Sequence, residues 1–287
     1  MSKPKVLDRI ALKAHPLPRV DAGDKDEHGR ILVVAGSRDV PGAALLSATA
    51  AMRAGAGKLQ IVTVASAAVG LGLAMPEAMV IGLPEDRAGG FARGADQRIA
   101  ELAREADAVV AGPGLAPNAQ CAKITEALLA ADVRLVLDAA LLHALEPLTD
   151  VERSSPPLLL PHSGELAALL DVEPEAVERQ PVKNGIRAAQ LYRSIVLVKG
   201  IVSHVVTPEE DVWTYRGGAP GLGVSGSGDT LAGIAGGLLA RGAEPLAALL
   251  WAVWLHGEAG AALAKKVGPV GFLAREIPGE IPGLLPR

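Results

Sequence analysis

The chain has 287 residues, 49% of them hydrophobic but only 2% aromatic, with 33 glycines, one cysteine and a formal net charge of −4. Such a chain can bury a substantial core, and it is too apolar and too weakly charged to be disordered. So few aromatics exclude base-stacking on single-stranded nucleic acid, the charge excludes steering to DNA or anionic lipid, and Cys121 alone makes neither a disulfide nor a multi-cysteine zinc site.

In chain order, residues 1–13 are charged throughout and lack the apolar core of a signal peptide. With the charged run 24–28 they read as an N-terminal arm, 1–28. A β-branched strand signal at 31–35 ends at Gly36, and a helix follows at 43–54, stopped by Gly55 and Gly57. The next strand is 59–64. Apolar runs at 78–81, 108–111, 135–137, 158–160 and 195–198 also read as strands, with helical patterns at 96–105, 119–131, 164–170 and 184–193. Residues 202–206 and 212–215 predict a hairpin. The C-terminal part predicts two helices, 229–241 and 244–265. Their apolar stretches are split by Arg241 and Glu244, so they read as buried helices rather than membrane spans. Pro278, Pro282 and Pro286 predict a terminal loop. Short apolar strands alternating with helices imply an α/β fold, a mostly parallel sheet covered on both faces, in one domain over 29–287. Ligands of such sheets bind at the carboxyl ends of the strands, where the glycine clusters fall. The expectation is a soluble, cytoplasmic enzyme.

The sharpest motif is Gly221-Leu-Gly-Val-Ser-Gly-Ser-Gly-Asp229, placed before a helix. Free amides at a helix start, with the positive end of the dipole, bind anions, and bare Gly226 and Gly228 let phosphate oxygens reach the backbone around Ser227. Asp229 beside such a site can accept a hydroxyl proton during phosphoryl transfer, or it can simply cap the helix. Gly221, Gly223 and Gly226, with Glu244 further on, imitate a dinucleotide fingerprint, but two helices follow without an intervening strand, so the βαβ context is missing. His162 and Glu165 flank a strand-to-helix turn. Glu165 is a candidate for a magnesium-bound water and His162 for substrate contact, a cap plus a surface residue being the plainer reading. Lys199 ends a strand beside Gly200, as a nucleotide contact or a solvated lysine. Gly112-Pro-Gly114 can line a pocket, the loop 36–43 is bounded by glycine, and Asp138 faces the crevice or caps the next helix. His15, His28, His143 and His204 lack partners at metal spacing, His256 reads as core packing, and Cys121 as a small buried hydrophobe.

Together these segments resemble the ATP/ADP-dependent NAD(P)H-hydrate dehydratase family of the ribokinase-like superfamily. The motifs keep the family's order from 29–37 through Gly42-Ala43, Arg53-Ala-Gly-Ala-Gly57, Gly112-Pro-Gly114, Leu137-Asp138, Pro161-His-Ser-Gly-Glu165 and Lys199-Gly200 to Ser225-Gly-Ser-Gly-Asp229. The resemblance implies dehydration of NADHX and NADPHX, in which ADP or ATP phosphorylates the hydrate's hydroxyl and loss of phosphate restores the nicotinamide. It implies Asp229 at the reacting hydroxyl, Gly226, Ser227 and Gly228 around the phosphate, and Lys199, Gly200, Ile201, Val202 and Ser203 along the nucleotide. Ala43, Gly112, Gly114 and His162 contact the hydrate in this picture, with Mg2+ as the accompanying ion. It also implies a homo-oligomer, with a tetramer as the candidate state, and a hydrate epimerase on a separate chain. The sequence departs from the family at Asp24-Lys25-Asp26, at 38–41, at Ala140 where a second acid is usual, and at Val224-Ser225. A ribokinase-like kinase of a small hydroxylated metabolite or vitamin precursor is the alternative, and a non-catalytic nucleotide-binding relative is a third reading.

Overall fold

The structure is a computed structural model that describes residues 4–19, 28–148 and 152–286. In chain order its elements are β1 (Lys5–Val6), α1 (Arg9–Leu12), β2 (Arg30–Val34), α2 (Gly42–Arg53), β3 (Lys58–Val64), α3 (Ala65–Ala74), β4 (Ala78–Leu83), α4 (Ala95–Ala103) and β5 (Ala108–Ala111). These are followed by α5 (Ala119–Ala130), β6 (Arg134–Leu137), β7 (Leu158–Leu159), α6 (Ser163–Leu170), α7 (Pro174–Arg179), α8 (Pro181–Leu191), β8 (Ile195–Val198), β9 (Ser203–Val206), β10 (Val212–Tyr215), α9 (Ser227–Ala240), α10 (Pro245–Lys266) and α11 (Ile277–Leu284). The strands form one sheet in the order β1-β10-β9-β8-β7-β6-β5-β2-β3-β4. Its pairings are parallel except those of β9, which runs against both its neighbours.

The strands were legible because they are continuous apolar runs, and the structure buries them accordingly. Ile31, Leu32, Val33 and Val34 of β2 are all fully buried, as a strand covered on both faces requires. Helices α2, α9, α10 and α11 pack together on one face, and α4, α5, α6 and α8 form a second group on the other. The chain winds outward from β2 through β3 to β4, then restarts on the other side of β2 at β5 and continues to β8. The crevice between β2 and β5 is therefore the topological switch point, where open α/β sheets bind ligands.

Three local readings change. The prolines of the last segment predict a loop, yet α11 spans Ile277–Leu284 with Pro278 in its first turn and Pro282 inside. Ile277 and Ile281, one helical turn apart, are fully buried, and that burial outweighs the amide missing at Pro282. Helix α3 was not anticipated, since its residues are apolar all round and show no helical period. Near the N-terminus, β1 pairs in parallel with β10 and α1 is capped by the Asp8 carboxylate. Asp24, Lys25 and Asp26 lie outside the described residues. Helix α10 is long and apolar enough to cross a membrane by length and composition, but 72% of its most apolar window is buried within the fold.

Candidate functional site

The residues singled out above line up along the carboxyl ends of β2, β5, β6, β7 and β8. At the switch point the Gly36 amide donates to the Pro113 carbonyl at 2.8 Å and the Gly112 amide to the Val34 carbonyl at 3.1 Å. Gly114 packs on Ala43, where a Cβ would collide with the Ala43 methyl and lie 2.9 Å from the Val40 carbonyl. Arg38, in the loop that departs from the family pattern, grips Glu85 at 2.7 Å and pins that loop beside the crevice. Gly112 has φ +121°, and a Cβ there would overlap the carbonyl of Asp138. Gly112→Ala is expected to cost ~3 kcal/mol or more and to lower activity by displacing Asp138, read by thermal melting and steady-state kinetics. Unchanged stability would mean that this close approach is not needed.

Helix α9 begins at Ser227 rather than at Asp229. Its N-cap is Gly226 with φ +87°, a backbone conformation that glycine adopts freely, and the position makes no side-chain cap. Asp229 is thus the third residue of the helix, and the simple capping role does not apply to it. The Ser47 hydroxyl of α2 donates to the Asp229 backbone carbonyl at 3.0 Å. Burial, then the negative charge of Asp138, push the Asp229 carboxyl up to about 6, with Lys199 opposing.

Beneath the first turn of α9 lies a buried charge cluster. The Lys199 ammonium donates to Asp138 Oδ1 at 2.8 Å and lies 3.8 Å from Glu165 Oε2. Burial disfavours its charge, but Asp138 and Glu165 outweigh that and raise its proton affinity. Asp138 is buried and its carboxyl is pushed up by burial. The short contact to the ammonium keeps the pair's proton on Lys199. Asp138 leaves the short 3-10 turn Ala139–Ala144 without a side-chain cap, and Ala140, where the family's second acid would stand, is buried in it. Lys199 is therefore neither solvated nor isolated.

His162 and Glu165 form a reciprocal cap on α6. His162 Nδ1 accepts from the amides of Gly164 and Glu165, at 3.1 and 3.3 Å, while Glu165 Oε2 accepts from the His162 amide at 2.8 Å. Two backbone donors on Nδ1 place the imidazole hydrogen on Nε2, which lies 3.6 Å from Glu165 Oε1 on an exposed side chain. Gly200, Ile201, Val202 and Ser203 follow Lys199 in the turn from β8 to β9, where the Ser203 hydroxyl donates to the Gly200 carbonyl and Ile201 is 99% exposed.

Sequence reasoning missed two supports. Ser47 shows no motif. His256 was read as core packing and is half-buried, but its Nε2 also lies 3.0 Å from the Ser227 hydroxyl and 3.1 Å from the Ser227 carbonyl. A carbonyl only accepts, so Nε2 carries the hydrogen. Burial pulls the imidazole down to about 4, leaving it neutral. A lone histidine in an otherwise apolar stretch of α10 was the available signal. Part of the glycine run serves packing: a Cβ at Gly221 would collide with the Phe272 ring.

Among the described residues no group of three His, Cys, Asp or Glu side chains could hold a metal ion. The donors at the crevice suit an ion carried mainly by phosphates and water, the usual manner of Mg2+, better than a protein-only cage. A surface cavity of about 740 Å³ lined by Arg153, Arg193 and Thr207 lies at the opposite ends of β7 and β8 and contains none of these residues.

A family model for NAD(P)H-hydrate dehydratase matches residues 31–283. An ADP-dependent (S)-NAD(P)H-hydrate dehydratase of Xanthomonas campestris pv. campestris is 49% identical, over 100% of this chain and 99% of that one. The enzyme of the same name from Bacillus subtilis is 33% identical over 84% of this chain and 83% of its own. A crystal structure of ADP/ATP-dependent NAD(P)H-hydrate dehydratase from Bacillus subtilis, co-crystallised with ATP/Mg2+, superposes with a TM-score of 0.86 at 29% identity, covering 99% of this chain and 98% of that one. The chain spans about half the length of bifunctional relatives such as the NAD(P)H-hydrate repair enzyme Nnr of Moorella thermoacetica, of which it covers 52% at 33% identity. With the crevice, the glycine-led helix start and Asp229 in family order, these matches identify the chain as a member of the NAD(P)H-hydrate dehydratase family.

Proposed function

We propose that this protein is an ADP-dependent (S)-NAD(P)H-hydrate dehydratase, a lyase that restores NADH and NADPH from their hydrates. The observation that carries the reading is Asp229, held in the first turn of α9 beside free amides with its carboxyl pushed up to about 6. A group near that value is ionised at neutral pH yet retains affinity for a proton, as a general base requires. ADP as the phosphoryl donor is supported by the name of the 49% identical relative.

Phosphoryl transfer needs an anion site, a base and alignment. The Gly226 and Gly228 amides receive the phosphate, the Ser227 amide being taken up by the Val224 carbonyl at 3.2 Å. Asp229 takes the hydroxyl proton as the new O–P bond forms and the bridging P–O bond of ADP breaks, with AMP as leaving group. His162, with an exposed side chain, donates from Nε2–H to the hydrate, and Ala43, Gly112 and Gly114 shape its pocket. Residues 199–203 run along the nucleotide. The C–O bond then breaks with phosphate as leaving group, and loss of a proton from the adjacent carbon restores the ring double bond. Mg2+ bound here would neutralise phosphate charge, with Glu165 as the carboxylate that would hold it through water. The reading includes a homo-oligomer, supported by the exposed apolar side chains Val69 and Leu73 of α3 and Met79 of the edge strand β4.

The test is recovery of dihydronicotinamide absorbance from (S)-NADHX or (S)-NADPHX with magnesium and ADP or ATP. No recovery with either nucleotide would overturn the reading, and a stable phosphorylated product would replace it with a kinase. Where turnover is seen, kcat/KM is expected to rise with pH through about 6, as Asp229 loses its proton, and to level above it. A flat profile across that range would remove Asp229 from the role of base.

A further inference from the structure

Asp138 carries a buried charge that the scheme above does not use. It stands at the end of β6, and its partner Lys199 comes from the end of β8, with β7 between them. The contact at 2.8 Å joins residues 61 apart in sequence. The pair lies under the first turn of α9: a Cβ on Gly228 would be 3.7 Å from Lys199 Nζ and 3.9 Å from Asp138 Oδ2. Among the described residues the ion-pair partners of Lys199 are Asp138 and Glu165, and Asp229, next to Gly228, is not one of them.

We propose that Asp138 is a positioning residue: by holding the Lys199 ammonium beneath Gly228 it keeps that cation from pairing with Asp229, and so leaves the Asp229 carboxylate open to the substrate hydroxyl. This rests on the reading of Asp229 as the base. A lysine has a flexible stem and a compact charge that moves to the nearest carboxylate. Glu165 is a poor substitute for Asp138, because its Oε2 already accepts from the His162 amide. Without the Asp138 carboxylate, Asp229, which already feels the Lys199 charge, competes with Glu165 for the ammonium, and a carboxylate drawn into that pairing is a weaker base with one face blocked.

The groups that bear on Asp229 are few. Asp138 and Lys199 reach it from β6 and β8, with Glu165 and His162 of the α6 cap beyond Lys199. From α10 comes His256, neutral and bonded to Ser227. Helix α2 offers the Ser47 hydroxyl, its one charged residue being Arg53 at the far end. On the C-terminal side, Glu276 accepts from the Leu273 amide and Glu280 pairs with Lys266, while Arg275 is exposed. Strands β2 and β5 bring one charge, Arg30, at their opposite ends.

The experiment is a carboxyl-carbon NMR titration of the full-length protein without substrate, with the Asp229 signal assigned by its loss in Asp229→Asn. In Asp138→Asn the Asp229 midpoint is expected to fall by about one pH unit or more, and by more than the same substitution lowers it in a Lys199→Gln background, where only the repulsion from Asp138 is lost and no ammonium can turn to Asp229. Equal falls in the two backgrounds overturn the proposal. In Lys199→Gln it is expected to rise, because the attraction that opposes burial is gone. A midpoint in Asp138→Asn that stays within a few tenths of wild type, or rises, overturns the proposal. If Asp138→Asn does not fold, Lys199→Gln decides alone, and a midpoint that fails to rise overturns it. The expected NMR shifts together with no dehydratase activity in the wild type would count against the base role of Asp229 and leave the Asp138–Lys199 arrangement standing.

Discussion

Asp229→Asn is expected to lower turnover by ~10²-fold or more and at the same time to stabilise the protein at neutral pH. The loss follows from removing the proton acceptor while keeping size and polarity. The gain follows from the carboxyl being pushed from the ordinary 3.8 up to about 6, chiefly by burial and then by Asp138. A group whose folded value is raised contributes its stability fully below the unfolded value and loses it as pH rises through the folded one. In the window between 3.8 and about 6 that contribution is progressively lost, so above it the wild type bears the cost of a partly buried carboxylate. Asparagine removes that cost, about 2 kcal/mol once partial solvent access is allowed for, or several degrees in melting temperature. Calorimetry at neutral pH and near pH 4 checks the sign, because the advantage should vanish in acid. Wild-type turnover in the variant would show that Asp229 is not the base, and an unchanged melting temperature would show that its charge costs nothing.

Gly233→Val is expected to be the most damaging single change outside the site. Helices α2 and α9 touch backbone to backbone: a Cβ at Gly233 would overlap the Ser47 carbonyl and lie 2.8 Å from Ala50 Cβ, and one at Gly237 would overlap the Ala51 carbonyl. The helix cannot retreat from α2, since Gly236 on its other side already admits Val110 and lies where a Cβ would be 3.0 Å from Ile31 Cδ1. A branched side chain there should cost more than ~3 kcal/mol, seen as a melting temperature lower by ~6 °C or more, or as loss of soluble protein. The matched control is Gly279→Ala in α11, an exposed position with nothing within 4 Å of a Cβ, expected to be neutral or slightly stabilising. Equal effects at both positions would refute the close-packing account. Because Ser47 also donates to the Asp229 carbonyl, a folded Gly233 variant should show reduced kcat as well.

The two glycine roles show how much of the site was legible. Gly112, Gly114, Gly226 and Gly228 lie at strand and helix ends, where the sequence placed a ligand. Gly221, Gly233, Gly236 and Gly237 are just as glycine-rich in sequence, yet they serve packing against Phe272, α2 and the sheet. Nothing local distinguishes the two sets, because a glycine records only that a side chain is unwelcome. His162 and Glu165 were legible as a pair three residues apart, and their reciprocal cap is the bland reading made concrete. Asp138 and Lys199 were each legible as strand-end residues, but not as partners.

What the sequence determined by itself is the alternation of buried strands and helices, hence the parallel sheet, its carboxyl-end crevice and the glycine-led start of α9. These follow from hydrophobic period and turn chemistry, which act over a few residues. The tertiary structure alone decided that α11 survives its prolines, that His256 backs Ser227, and that Lys199 answers Asp138. Each depends on strand order and on which helices share a face, which bring distant residues within a few ångströms. At that range burial and a neighbouring charge, rather than residue type, set whether a carboxylate is a cap, a counter-ion or a base.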